Sequence, residues 1–214
     1  MTTVFENVPH AAAAGARLIE VKRQARVTAA QRRAFAHARH GARAARALAN
    51  HGLDGLHHQI AALGGGVASG YCAMGSEMDP MPLLRRLAGD GFQLALPVVE
   101  RRCAPLVFRA WSVAGPTIAA GFGTREPPPH HSLVSPDLLI VPLLAFDATG
   151  ARLGYGGGFY DRTIAQARQT RRVLTVGVAY DEQELAAVPC DDRDQRLDWI
   201  VTPSGCRPGL AGTA

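Results

Sequence analysis

The chain has 214 residues, 47% of them apolar and 19% charged, proportions of a folded domain that exclude disorder, collagen and coiled coil as global descriptions. A chain this long buries roughly 70–75% of the surface its unfolded form exposes, so it needs no disulfide or metal staple. The net charge of +5 is local: residues 17–46 carry +8 and the remainder −3. The longest strongly apolar run, 138–146, is broken by Pro142 and is far short of the ~20 residues that cross a bilayer. Cys72, Cys103, Cys190 and Cys206 lie far apart, which argues against a zinc site or a disulfide framework. The alanines at 11–14 precede the arginines, the reverse of a secretory leader, so a cytoplasmic protein without a membrane partner is expected.

In chain order, residues 17–48 are rich in Ala and free of Pro and predict a long or once-broken helix. Its charge allows three readings: an arm for nucleic acid, a solvated basic face, or cations aimed at a small phosphorylated ligand. Lys22 is the sole lysine beside 22 arginines. Its compact ammonium fits among phosphate oxygens where a planar guanidinium does not. Lys22 and Arg26 stand at i and i+4 and share a helix face, whereas Arg17 and Arg23 point elsewhere. His51, His57 and His58 follow in a Gly/His-rich region; with no acidic or thiol partner adjacent they read as loop histidines.

Residues 67–74 predict a strand, with Asp79 capping and Pro80 opening a helix that runs to Gly91. Strands are expected at 92–99 and 105–111, then a loop at 121–129. The most apolar strand is expected at 137–141, a helix at 159–172, and strands at 173–180 and 199–202. Strands alternating with helices predict an α/β domain with a largely parallel sheet covered on both faces. No repeat or linker divides the chain.

Ligands of open α/β sheets gather beyond the carboxyl ends of the strands, which is where the strand at 137–141 leads. There Gly154, Gly156, Gly157 and Gly158 occupy four of five positions. Such a turn permits positive φ and lets successive N–H groups close around an anion at a helix start. The Gly-Lys-Ser/Thr ending of a P-loop is missing, and Phe159 stands where the last Gly of a dinucleotide fingerprint would be. Arg152 precedes the turn as a bidentate cation for phosphate oxygens. Asp161 follows it with the hard oxygen that magnesium on a triphosphate takes. Of Asp191, Asp192, Asp194 and Asp198, at most one reads as a metal ligand, and Asp198 reads as a local cap or pair. Phe159 and Tyr160 read as packing rather than base-stacking rings.

The run 141–147 followed by Arg152-Leu153-Gly154-Tyr155-Gly156-Gly157-Gly158-Phe159-Tyr160-Asp161-Arg162 resembles the signature of the 5-formyltetrahydrofolate cyclo-ligases, also called 5,10-methenyltetrahydrofolate synthetases. Lys22 to Arg26 is similar to that family's amino-terminal Lys-x-x-x-Arg, and Glu77 to Pro80 to its Glu-x-Asp-Thr. Residues 121–127 resemble its Gly-x-Phe-Gly-Ile-x-Glu-Pro region in shortened form, and 188–202 its carboxyl-terminal stretch. The resemblance spans roughly residues 18–203.

It implies a three-layer α/β/α sandwich with a mostly parallel central sheet, like the sugar-phosphate isomerase and CoA-transferase group. It also implies ATP- and Mg2+-dependent cyclisation of 5-formyltetrahydrofolate to 5,10-methenyltetrahydrofolate through a phosphorylated formyl group, with release of ADP and phosphate. By the same resemblance Lys22, Arg26, Arg152 and the stretch Gly154, Tyr155, Gly156, Gly157, Gly158, Phe159 and Tyr160 would hold ATP. Asp161 and Asp194 would bind magnesium, Glu77, Tyr155 and Phe159 would contact the folate, and Arg152 and Tyr155 would serve catalysis. Phe159 replaces the family's first Tyr, Pro80 its Thr and Thr124 its Ile; none of these removes a charge. The expected organisation is a disordered tail at 1–16, one catalytic domain at 17–205 and a tail at 206–214, in a monomer. Two alternatives remain at this stage: a non-catalytic folate- or nucleotide-binding paralogue on the same fold, and a nucleic-acid binder using Arg39, Arg43 and Arg46.

Overall fold

The computed structural model describes the backbone of residues 8–51 and 53–209, and side chains from residue 15 onward except His51. The Ala-rich segment is the helix α1 (Val8–His51), broken once at Gly41, where φ 13° and ψ −103° leave helical space. The amino-terminal tail expected at 1–16 lies in part outside the described residues; from Val8 onward that stretch is helix. After a single 3-10 turn and the short α2 (His57–Ala61), β1 (Val67–Ser69) enters the sheet.

The strand expected over 67–74 stops at Ser69. Gly70 donates the last ladder bond, to the Ala95 carbonyl, and lies so close to Leu84 that a Cβ there would sit 2.4 Å from Leu84 Cδ1. The chain then turns back on itself, with the Tyr71 hydroxyl donating to the Met78 carbonyl at 2.6 Å. Asp79 Oδ1 accepts the Met81 N–H at 2.9 Å just ahead of α3 (Met81–Gly89), in which Pro80 rather than Asp79 takes the N-cap position and which ends two residues before Gly91.

The rest of the chain supplies β2 (Gln93–Val98), β3 (Val107–Trp111), the pairs β4 (Ile118–Ala119) with β5 (Arg125–Glu126), β6 (Leu133–Val134) and β7 (Leu138–Pro142). The hairpin β8 (Ala145–Phe146) with β9 (Arg152–Leu153) follows, then α4 (Phe159–Thr170), β10 (Leu174–Val178), β11 (Trp199–Thr202) and β12 (Gly205–Pro208). Eight strands form one sheet in the order β12-β11-β10-β7-β1-β2-β3-β6. The five central strands run parallel, and β12, β3 and β6 pair antiparallel at the edges. The segment from 206 therefore does not begin a tail: residues 205–208 close the sheet edge, Cys206 pairing with Val201.

Alternation along β7 explains the layers. Leu138 and Ile140 belong to the core shared with α1 and α3, including Leu48, Leu83 and Leu87. Leu139 and Val141 belong to the core shared with Ile164 of α4. A strand buried on both faces must be apolar throughout, which is why 138–141 is the most legible strand in the sequence. All four cysteines are free. Among the described residues no helix is long and apolar enough to cross a membrane.

Candidate functional site

The carboxyl ends of β1, β7 and β10 release three loops: 70–80, the β8–β9 hairpin with the glycine turn, and 179–198. The stretch of α1 from Lys22 to Arg33 crosses all three. Lys22 Nζ donates to Asp194 Oδ2 at 2.5 Å and to Asp191 Oδ2 at 3.2 Å. Arg26 Nε donates to the Gly154 carbonyl at 2.9 Å, and Arg33 reaches Ser76 and Tyr155. Residues 22, 26 and 33 lie on one stripe because eleven residues make just over three whole helical turns. Arg23 points away, as expected, and pairs with Glu20 in solvent.

At one end of this cleft the glycine turn runs into α4. Gly156 and Gly158 have φ of +97° and +63°, the left-handed region that glycine enters without steric cost. Gly158 caps α4, so backbone N–H groups and the positive end of a helix dipole meet at the turn. Arg162 donates to the Gly157 carbonyl at 2.5 Å and bends the turn over the helix start.

Arg152, expected at phosphate oxygens, is instead buried and committed. It donates to the Gln195 carbonyl and, at 2.8 Å, to Asp161 Oδ1, which also accepts the Gln195 N–H at 3.0 Å. Burial lowers the Arg152 pKa, and the adjacent Asp161 opposes that shift. Arg152 thus positions Asp161 beside the acidic loop. Residues 151, 152, 190–192 and 194–196 enclose a cavity of about 250 Å³. Burial disfavours the charge on Lys22, but Asp194 and Asp191 outweigh it and raise its pKa. Hydrogen bonds from Arg193, with a smaller contribution from Lys22, hold Asp191 well below the usual carboxylate range. Asp198 stands apart, bound to Thr175 and Arg168.

The other end of the cleft is drier. Glu77 is 3% exposed and Arg33 6%. The Tyr155 hydroxyl bridges them, accepting from Arg33 at 2.5 Å and donating to Glu77 Oε1 at 2.9 Å. The Met74 N–H donates to Glu77 Oε2 at 2.8 Å, and Arg33 Nε donates to Ser76 Oγ at 3.1 Å. Burial pushes the Glu77 pKa up against these donors and the Arg33 charge. The Tyr155 ring remains open to the cleft. Phe159 packs against the α4-side core and meets the exposed ring of Phe122 edge-on at 5.9 Å. The Tyr160 hydroxyl is buried without a hydrogen-bond partner among the described residues, and burial drives its pKa far up. An unsatisfied buried hydroxyl costs about 1–3 kcal/mol, a penalty that a ligand atom reaching it would remove.

The structure therefore brings Lys22, Arg26, Glu77, Arg152, Tyr155, Asp161 and Asp194 to one strand-end cleft. Sequence reasoning missed Arg33, which lay hidden among the arginines of α1. Its spacing of eleven from Lys22 was the signal. Among the described residues no group of three His, Cys, Asp or Glu side chains is disposed to hold a metal. The His57 and His58 rings lie against each other with centroids 3.9 Å apart, tilted by 40°.

Parallel strands, a glycine turn capping a helix and converging charges at their carboxyl edge define an enzyme of the α/β class. The sequence model of the 5-formyltetrahydrofolate cyclo-ligase family matches residues 18–203, and the chain belongs to that family of ligases. The chain is 36% identical over 149 residues to the 5-formyltetrahydrofolate cyclo-ligase of Mycolicibacterium smegmatis, covering 66% of this chain and 75% of that one. It is 36% identical over 139 residues to the Escherichia coli protein of the same name, covering 63% and 76%. Among solved structures, the Aquifex aeolicus 5,10-methenyltetrahydrofolate synthetase superposes with a TM-score of 0.70 at 29% identity over 91% of this chain and 95% of its own. The synthetase of Mycoplasma pneumoniae, at 19% identity and a TM-score of 0.61 over 85% and 98%, shares the fold.

Proposed function

We propose that the protein cyclises 5-formyltetrahydrofolate to 5,10-methenyltetrahydrofolate at the expense of ATP. The observation that carries this reading is the stripe on α1, which takes Lys22 and Arg26 to the glycine turn and acidic loop and Arg33 to the Glu77 carboxylate. One end of the cleft suits a polyphosphate, the other a neutral heterocycle rich in N–H donors, and Tyr155 lies between them.

The formyl oxygen is a poor leaving group. Transfer of the γ-phosphoryl group to it makes the carbon electrophilic; N10 then forms its bond to that carbon, the carbon–oxygen bond breaks, phosphate departs and N10 loses its proton. The protein's part is positioning and charge neutralisation. Lys22 and Arg26 bind phosphate oxygens together with the amides of 154–158, and Glu77 accepts the pterin N–H groups. Tyr155 and Phe159 separate the two reactants from water, and the Tyr160 hydroxyl gains a partner from bound ligand.

Magnesium fits the residues present. Asp161 and Asp194 each use one oxygen for a cation and a backbone N–H, which leaves each a second hard oxygen. Magnesium is held by one or two carboxylates with substrate phosphates rather than by an all-protein cage. Bound there, it would neutralise charge on the transferring phosphoryl group. Purified protein with 5-formyltetrahydrofolate, ATP and magnesium should develop methenyl absorbance; absence of ATP-dependent product overturns the proposal.

A further inference from the structure

We propose that Arg33 is a positioning residue of the folate subsite, fixing the Tyr155 hydroxyl and keeping Glu77 ready as an anion for the donors of the reduced pterin. The inference deepens the proposed function and rests on it.

Three features carry it. First, a buried Arg–Glu pair is a poor stabilising device, because desolvation of both charges offsets their attraction. Arg33 and Glu77 lie 3.8 Å apart with side chains 7% and 3% exposed. Second, the pair is joined by a hydroxyl instead of being fused. The Tyr155 hydroxyl accepts a hydrogen bond from the Arg33 N–H on one side and donates one to Glu77 on the other, while its residue is 52% exposed. The network is closed on the protein side and open on the cleft side.

Third, the carboxylate is left underused. A carboxylate offers about four acceptor positions, and among the described residues Glu77 receives hydrogen bonds from the Tyr155 hydroxyl and the Met74 N–H. The remaining positions suit the parallel N–H donors of a pterin amide edge. The same contacts tie α1, the 70–80 loop and the glycine turn together.

The ionisable groups that face Glu77 are Arg33 from α1, Tyr155 from the glycine turn, Tyr71 from its own loop and Tyr160 from α4. Arg33 is the one cation among these four. Its removal takes away one of the three influences that oppose burial, leaving the Met74 N–H and the Tyr155 hydroxyl, so Glu77 holds its proton to a higher pH.

The test uses the full chain with Arg33→Gln, Arg33→Lys and Tyr155→Phe. For Arg33→Gln the KM for 5-formyltetrahydrofolate should rise ~10-fold or more, the size of a lost charge-assisted hydrogen bond, while the KM for ATP stays within about twofold of wild type. The acid limb of kcat/KM for the folate should move to higher pH. Arg33→Lys should restore that limb but not the KM, since a single ammonium nitrogen lacks the fixed planar fork by which Arg33 reaches Ser76 and Tyr155 from two separate nitrogens.

An equal rise in both KM values, or an Arg33→Gln acid limb superimposable on wild type, overturns the proposal. Should Arg33→Gln fail to fold, Tyr155→Phe decides, since it cuts the bridge and keeps every charge. It should weaken folate binding, and unchanged folate affinity overturns the idea. Calorimetric titration with 5-formyltetrahydrofolate alone separates the two levels. Wild type that binds the folate without turning it over counts against the proposed reaction, whereas variants that bind as wild type does count against Arg33.

Discussion

At one end of the cleft Lys22 meets Asp191 and Asp194 across partly solvated side chains; at the other Arg33 meets Glu77 in the interior through a shared tyrosine. Both are cation–carboxylate arrangements reached from the same helix, yet solvent makes them different devices. Partly exposed pairs contribute little to stability and exchange partners readily, so Lys22 can pass from aspartates to phosphate oxygens at small cost. A buried pair cannot rearrange without stranding a charge. The phosphate end is therefore adaptable and the folate end is built, which suits a flexible triphosphate beside a rigid bicyclic ring.

The contrast breaks most severely at Arg152, the one buried cation at the adaptable end. Arg152→Ala strands the Gln195 carbonyl and Asp161, and should reduce unfolding free energy by ~3 kcal/mol, measured by urea denaturation, with turnover lost as well. Asp161→Asn comes next. It should lower kcat by ~100-fold or more and also lower Tm, because the buried Arg152 guanidinium loses its carboxylate partner; a titration with magnesium should show a shifted requirement, and an unaltered requirement removes Asp161 from the metal.

Lys22→Ala should raise the KM for ATP by ~10-fold, leave that for the folate alone, and change stability by less than ~1 kcal/mol. A folate KM that rises equally would erase the distinction between the two ends. The smallest effect is in pH dependence. Burial raises the Glu77 pKa, so protonation as pH falls through that value removes an acceptor and weakens folate binding. The folded chain binds that proton more tightly than the unfolded one, so this group adds stability in the same direction that affinity declines. Glu77→Gln should abolish both trends, as read by folate titration and thermal melts across pH.

Much of the scaffold was legible. β7 announces itself because it is buried on both faces, and α3 because Asp79 and Pro80 mark its start. The sequence allowed a long or a once-broken helix over 17–48, and α1 is broken at Gly41. β12 was not legible, since residues 205–208 have no apolar alternation and become a strand only by pairing with β11. Residues 70–74 read as strand by composition, but their continuation is prevented by the close packing of Gly70 on Leu84, a contact fourteen residues away. Arg152 was legible as a cation ahead of the turn, but its burial against Asp161 and Gln195 was not, because spacing reports neighbours along the chain and says nothing of burial.

What the sequence by itself determined is therefore what local chemistry governs: the glycine turn at a helix start, the alternation of strands and helices, the family signature, and the shared face of Lys22 and Arg26. Only the tertiary structure decided which partners those groups receive. It carried α1 over three loops, set Lys22 on Asp191 and Asp194, buried Arg152 against Asp161, and made Arg33 the partner of Tyr155 and Glu77. The physical reason is that backbone preference acts over a few residues, whereas desolvation and charge pairing depend on segments that meet only when the chain has folded.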